Sequence, residues 1–183
     1  DIINMLIEKA GEKLKSNGVE YDRQLALQIG VAAMKFGDLS NNVGKDYVFD
    51  LDKFLSFEGK TGPYLQYTAC RINSILKKAQ VEGGQIKIES EEEKEIVKNI
   101  LKLNSSYEIA YREKSVNNLC LATYDLASAF STFYNNHKIL TEKSEKKKAS
   151  YISLLKLVRK ALTQALAVLA IEVPVAGQHG PSG

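Results

Sequence analysis

The 183-residue sequence predicts an all-α protein, built as a bundle of antiparallel helices. Apolar residues recur every three to four positions along most of the chain, which is the spacing of helices with one buried face. Alternating apolar and polar residues, which would indicate half-buried strands, are scarce. Apolar residues make up 44% of the sequence, and at this length that fraction is enough to form a core.

Two helices are predicted in the N-terminal part. The first carries its apolar residues over 5–14 and ends at Asn17-Gly18 because glycine readily adopts the left-handed conformation that closes a helix. Asp22 caps the second helix, whose apolar positions lie within 25–36. The turn-forming residues at 37–42 predict that the helical pattern breaks there.

A loop and a further helix follow. A short extended run at 47–49 and a brief turn beginning at Asp50 lead into a loop at 56–62 that contains two glycines. Pro63 suits the first position of a helix, where its missing N–H costs nothing, and either of the two preceding residues can cap that helix. The apolar spacing continues it to about Ala79.

Three more helices complete the prediction. Ser90 and Glu93 have the spacing of a capping box, which begins a helix through Leu103. The apolar stripe at 116–133 predicts a long helix, and the last helix covers about 145–170.

The composition argues against a self-contained active site. A single histidine outside the C-terminal tail, His137, and two dispersed cysteines make a zinc site or a Cys–His nucleophile pair improbable. No glycine-rich phosphate loop occurs. We therefore assign this chain no catalytic residue, no metal and no cofactor.

Cys120, on the apolar stripe, is interpreted as a core residue. The low cysteine count and the lack of an apolar run of about 18 residues predict a soluble, cytoplasmic protein without a membrane partner.

Positive charge is concentrated towards the C-terminus. Residues 138–160 contain eight Lys or Arg and two Glu, a net charge of +6. A concentrated positive field attracts polyanions such as nucleic acids, and Lys147 and Lys148 lie within it. A solvated helix end and loop is the alternative that this charge run leaves open.

Aromatic and cationic side chains share one face of the helix that begins at Pro63. Tyr64 and Tyr67 are three residues apart and Arg71 follows four later, so the three lie near one line on the helix. Nucleobases stack on tyrosine for about 1–3 kcal/mol each, and arginine reaches phosphates. Tyr134, at the end of the long helix, is a second candidate. Half-buried tyrosines beside an ion-paired Arg71 are the alternative.

Several sequence blocks occur in an order that is typical of one family. They are residues 36–42, 46–50, 57–67, 71–72, 124–127 together with Phe130 and residues 133–134, and 170–174. Together they closely resemble the all-helical, C-terminal anticodon-binding domain of arginyl-tRNA synthetase, over about residues 20–175. The block from Thr61 to Tyr67, Thr-Gly-Pro-Tyr-Leu-Gln-Tyr, is the most specific.

The resemblance implies a class I synthetase that activates arginine with ATP and esterifies it to the 3′ end of tRNA. The family's nucleotide-handling signatures have no counterpart in this sequence. We therefore expect the catalytic domain and the ATP site upstream of Asp1, while this part binds the arginine-accepting tRNA. The family's roles carry over to a loop that approaches the anticodon, and to aromatic residues that shape or stack on anticodon-loop bases. The loop is Ser56, Phe57, Glu58, Gly59, Lys60 and Thr61, and the aromatic residues are Tyr64, Tyr67 and Tyr134.

The resemblance and the composition predict three parts. Residues 1–42 form a helical segment that links to the catalytic domain, and an apolar face left bare there would drive dimerisation. Residues 43–175 form the anticodon-binding bundle. Residues 176–183 are a disordered or added tail, where family members instead end with a basic residue and a terminal methionine. RNA contacts made by that natural end would then be missing.

Two other functions stay open from the residues alone. The chain could be a non-catalytic helical module for protein–protein contacts, with its tyrosines in the core. It could also be a free-standing enzyme that uses carboxylate pairs such as Asp50 and Asp52, although this has the weakest support.

Overall fold

The structure, a computed structural model, describes residues 1–41 and 49–175, and within these ranges it contains helices and no strand. The all-α prediction is confirmed. The helices are α1 (Ile2–Ser16), α2 (Arg23–Ser40), α3 (Leu51–Phe54), α4 (Gly62–Ala79), α5 (Glu91–Glu113), α6 (Asn117–Asn136) and α7 (Glu145–Val168). None of those in the described ranges combines the length and apolarity that crossing a bilayer requires.

The chain divides into two compact units. The first contains Asp1–Cys70 and Leu166–Gly183, and the second contains Arg71–Ala165. The predicted boundary between residues 42 and 43 and the predicted tail at 176–183 lie outside the described residues, as does most of the extended run at 47–49.

In the first unit, α1 and α2 pack together around a small core. The Asp22 carboxylate accepts a hydrogen bond from the Leu25 N–H at 2.8 Å and caps α2, as predicted. Gly18 follows α1 with a φ of +71°, which is the left-handed conformation expected after a helix end. The buried core residues are Ile7, Ala10, Leu14, Leu25, Ala26, Ile29, Ala33 and Leu55.

The predicted break at residues 37–42 is wrong, because α2 continues to Ser40. Gly37 is buried inside this helix, and a Cβ atom there would lie 2.5 Å from Cε2 of Phe54. The glycine therefore makes room for the Phe54 ring instead of opening a turn. Phe54 closes α3, which begins after the Asp50 cap as predicted.

In the second unit, α5 and α6 pack against each other. The capping box at the start of α5 is confirmed: Ser90 Oγ accepts from the Glu93 N–H at 3.2 Å, and Glu93 Oε2 accepts from the Ser90 N–H at 2.8 Å. The stripe on α6 is buried as predicted, including Cys120, Phe130 and Phe133.

An irregular segment, residues 80–89, follows one side of α7 within the second unit. Two serine hydroxyls of α7 serve as its partners: Ser153 Oγ accepts from the Gly84 N–H at 2.9 Å, and Ser150 Oγ accepts from the Lys87 N–H at 2.9 Å. Farther along, the Lys156 ammonium donates to the Glu82 carbonyl.

Both cysteine thiols are expected to be nearly inert at pH 8. Burial raises the pKa of Cys70 and of Cys120 to about 11. The thiolate fraction, and with it the reaction rate with a disulfide reagent, should therefore be about 100-fold lower in the folded chain than in the chain unfolded in urea.

The same shift predicts a pH dependence of stability. Because the folded-state pKa is raised, the free energy of unfolding should be maintained below pH 9 and should fall between pH 9 and 11. Thiol titration with an aromatic disulfide measures the first effect, and urea unfolding at pH 8 and 10.5 measures the second. Full reactivity of either thiol in the folded chain at pH 8 would contradict its burial.

Candidate nucleic-acid interface

In the first unit, Thr61 ends the protein loop at 56–61 that is predicted to approach the anticodon, and it caps α4. Its hydroxyl donates to the Ser56 carbonyl and accepts from the Tyr64 N–H, the latter at 3.1 Å. The Thr61 side chain is buried. The predicted cap is therefore present, and Thr61 holds the loop while its own side chain is turned away from solvent.

The tip of this loop is exposed. Glu58, Gly59 and Lys60 are all accessible, and Gly59 has a φ of +78° with no heavy atom within 4 Å of the position that a Cβ would occupy. Phe57 anchors the base of the tip against the core and contacts the Tyr67 ring edge-on at a centroid distance of 6.5 Å. Glu58, Gly59 and Lys60 therefore face solvent, while the packing of Phe57 fixes the position of the loop.

A close contact between helices sets where the loop ends. A Cβ on Gly62 would lie 2.2 Å from the carbonyl oxygen of Ala32, so the first turn of α4 packs directly on the backbone of α2. Only glycine allows two helices to approach to this distance.

Gln66 ties the C-terminal segment to this region of the first unit. Its side chain is 1% exposed, and Nε2 donates to the carbonyls of Glu172 at 2.7 Å and Gln28 at 3.3 Å. In a third hydrogen bond, Gln28 Nε2 donates to the Glu172 carboxylate at 3.0 Å. This role of Gln66 was not predicted, because in the sequence the residue is distinguished only by its place in the Thr61–Tyr67 block.

Tyr64 and Tyr67 are both half-buried on α4. Half-burial is what the alternative to a stacking face predicted, although each tyrosine also keeps an accessible part. Tyr67 uses its packed part against Phe57.

In the second unit, Arg71 and Tyr134 come together although 63 positions separate them in the sequence. The guanidinium carbon of Arg71 lies 4.8 Å from the centroid of the Tyr134 ring, which is a cation–π arrangement. The ring of Phe130 lies 6.0 Å from Tyr134 at an interplanar angle of 32°. The ring of Tyr134 therefore has both Arg71 and Phe130 as neighbours. Both Arg71 and Tyr134 are half-buried.

The two lysines singled out from the basic run differ in their surroundings. Lys147 lies 3.8 Å from the Glu89 carboxylate and 5.9 Å from the Tyr151 ring, and the attraction of Tyr151 raises the pKa of Lys147. Lys148 is half-buried on the first turn of α7. Because Glu89 balances part of the charge of Lys147, this lysine adds less to the external field than the sequence implied.

Within the described ranges, no group of three or more His, Cys, Asp or Glu side chains is arranged to hold a metal ion.

Comparison with known proteins gives consistent matches. Residues 65–176 match the model of the DALR anticodon binding domain. The chain is 40% identical over 95% of its length to an arginine–tRNA ligase of Agathobacter rectalis, and it covers 31% of that protein. It is similar in structure to the arginyl-tRNA synthetases of Thermus thermophilus and Plasmodium falciparum, with TM-scores of 0.82 and 0.81. Sequence identities to these are 26% and 25%, over 94% and 95% of this chain and 32% of each of theirs. The chain thus spans about a third of the length of these relatives.

Proposed function

The chain belongs to the DALR anticodon binding domain family, and on that premise we propose that it recognises the anticodon stem and loop of an arginine-accepting tRNA, as one part of an arginine–tRNA ligase. The observation that carries the proposal is the pairing of Arg71 with Tyr134. An aromatic ring next to a guanidinium offers a stacking surface and a phosphate ligand within one nucleotide's reach.

The first unit contributes a second kind of contact. The exposed tip at Glu58, Gly59 and Lys60 presents a cation beside a residue without a side chain, where an RNA backbone can approach closely. The half-buried rings of Tyr64 and Tyr67 would limit which bases fit beside α4. We therefore assign discrimination between anticodons to the aromatic rings. Attraction of the RNA backbone is assigned to the cationic side chains.

The ligation chemistry is assigned to the part of the relatives that this chain does not cover. Arginine activation with ATP, and transfer to the tRNA, would take place on an upstream catalytic domain in the cytoplasm. The exposed apolar residues at the start of α1, Ile2, Ile3 and Met5, offer that domain a contact surface.

The same residues favour the alternative of a protein–protein module. If self-association is their role, sedimentation of the isolated chain will show a dimer that Ile3→Glu dissociates.

Binding of tRNA tests the proposal directly. The 183-residue chain should bind an arginine-accepting tRNA transcript with an affinity that falls steeply as salt rises, because phosphate contacts release counterions. Nuclease or hydroxyl-radical footprinting should show protection in the anticodon loop. Protection confined to other parts of the tRNA, or equal retention of an unrelated polyanion of the same charge, would contradict anticodon recognition.

A further inference from the structure

The lysines of the second unit fall into two groups with different neighbours. On and before α5, lysines are neutralised by nearby carboxylates at 2.6–3.1 Å. These pairs are Lys87–Glu89, Lys94–Glu91, Lys98–Glu95 and Lys102–Asp125. Other exposed cations of the same unit have no carboxylate within 4.0 Å among the described residues. Five of these lie at the end of α4 and along α7, and we call them the basic patch: Lys77, Lys78, Lys156, Arg159 and Lys160.

One hydrogen bond brings the two halves of the basic patch to the same place. The ammonium of Lys156 donates to the carbonyl of Glu82, so α7 contacts the chain only four residues beyond Lys78. Four residues span at most about 14 Å even when fully extended. Arg159 and Lys160 lie about one helical turn beyond Lys156. The five cations therefore belong to one region of the surface.

The charge of this region is strongly one-sided. Residues 77–84 and 153–160, which carry the basic patch, contain five Lys or Arg and one Glu, a net charge of +4. Like charges held together repel one another and lower the stability of the fold, whereas the same charges scattered among acids would not. A polyanion that binds there relieves the repulsion and releases its condensed counterions.

The side chains around the basic patch indicate which part of an RNA fits. Residues 77–89 and 153–160 contain no aromatic residue, so these two segments supply no ring on which an unpaired base would stack. Long, exposed cations on a helix face suit the regularly spaced phosphates of a base-paired stem, which are contacted without reading sequence.

We propose that the basic patch binds the phosphates of a base-paired RNA stem, and so supplies sequence-independent affinity to a chain whose rings read the unpaired loop. The inference rests on the proposed function and adds to it a second RNA surface, formed by residues other than Lys147 and Lys148. Lys156 plays two parts, because it also fixes residues 80–89 to α7.

A charge-matched pair of variants tests the proposal. The test variant is Lys77→Ala/Lys78→Ala/Arg159→Ala/Lys160→Ala, which leaves Lys156 and its Glu82 contact intact. The control variant removes four ion-paired lysines, Lys87, Lys94, Lys98 and Lys102, also by alanine. Dissociation constants for the arginine-accepting tRNA are measured from about 50 to 200 mM salt. The slope of log Kd against log salt should fall by about two to four in the test variant and by less than one in the control.

The outcomes separate this proposal from the one on which it rests. Equal slopes for the two variants, with tight binding by the parent chain, overturn the basic patch and leave anticodon recognition standing. Failure of the parent chain to bind tRNA overturns both. A test variant that loses as much affinity for an unpaired oligonucleotide as for a hairpin of the same length overturns the assignment to a stem. Loss of binding to polyglutamate alone would assign the patch to an acidic protein instead.

Discussion

Gly62→Ala is expected to lower the free energy of unfolding by about 3 kcal/mol or more. The new methyl group would lie 2.2 Å from the Ala32 carbonyl oxygen, and a backbone atom inside a helix cannot turn aside as a flexible side chain can. The two helices must therefore separate, and the capping contact of Thr61 just before Gly62 shifts with them. Urea unfolding followed by far-UV circular dichroism measures the loss.

Gly59→Ala is the matched control for this prediction. Gly59 lies in the same loop and has open space around it, so alanine there costs only the left-handed backbone conformation, about 1 kcal/mol. If the two variants lose the same stability, the close approach of α4 to α2 is not what makes Gly62 necessary.

The helices were predictable because their signals are local. The apolar spacing of a helix and the residues of its cap are read within one or two helical turns. Asp22 with Leu25, and Ser90 with Glu93, are two such cap pairs. Gly37 shows where such reasoning fails. A glycine that ends a helix and a glycine that admits a neighbouring ring look the same in sequence, and only the position of Phe54 distinguishes them.

Long-range hydrogen bonds gave no sequence signal. Ser150 and Ser153, three residues apart on α7, are ordinary polar residues until the backbone of residues 80–89 comes to lie beside them. The buried Gln66 is similar, since its partners Gln28 and Glu172 lie far away along the chain in both directions. Partners separated by 38 to 106 positions leave no pattern in a single sequence.

The residue types of the candidate interface could be predicted from the sequence, but the contacts between those residues could not. Spacing on the helix that begins at Pro63 singled out Arg71, and its place at the end of the long helix singled out Tyr134. Nothing in the sequence indicated that Arg71 covers the Tyr134 ring. Charge counting likewise gave Lys147 and Lys148 the same weight as the rest of the basic run. The structure distinguishes Lys147, which lies 3.8 Å from the Glu89 carboxylate, from α7 cations that have no carboxylate within 4.0 Å among the described residues, such as Lys156 and Arg159.

Tyr134→Ala is expected to weaken binding of the arginine-accepting tRNA by about 10- to 100-fold. One base stacked on an aromatic ring contributes about 1–3 kcal/mol, and 1.4 kcal/mol corresponds to a factor of ten in Kd. The variant also frees the Arg71 guanidinium from its ring. Tyr134→Phe keeps the ring and should stay within about threefold of the parent chain. Fluorescence titration with tRNAs that differ only in the anticodon measures both the affinity and the discrimination.

Tyr111→Ala provides the control, because Tyr111 lies in the same unit with 89% of its surface exposed, and its removal should change neither affinity nor melting temperature. The salt dependence then separates a ring effect from a charge effect. A neutral ring releases no counterions, so Tyr134→Ala should raise Kd equally at 50 and 200 mM salt, whereas loss of a phosphate contact changes the slope itself. A changed slope in Tyr134→Ala would mean that the ring acts by holding Arg71 against a phosphate, and an unchanged Kd would remove Tyr134 from the interface.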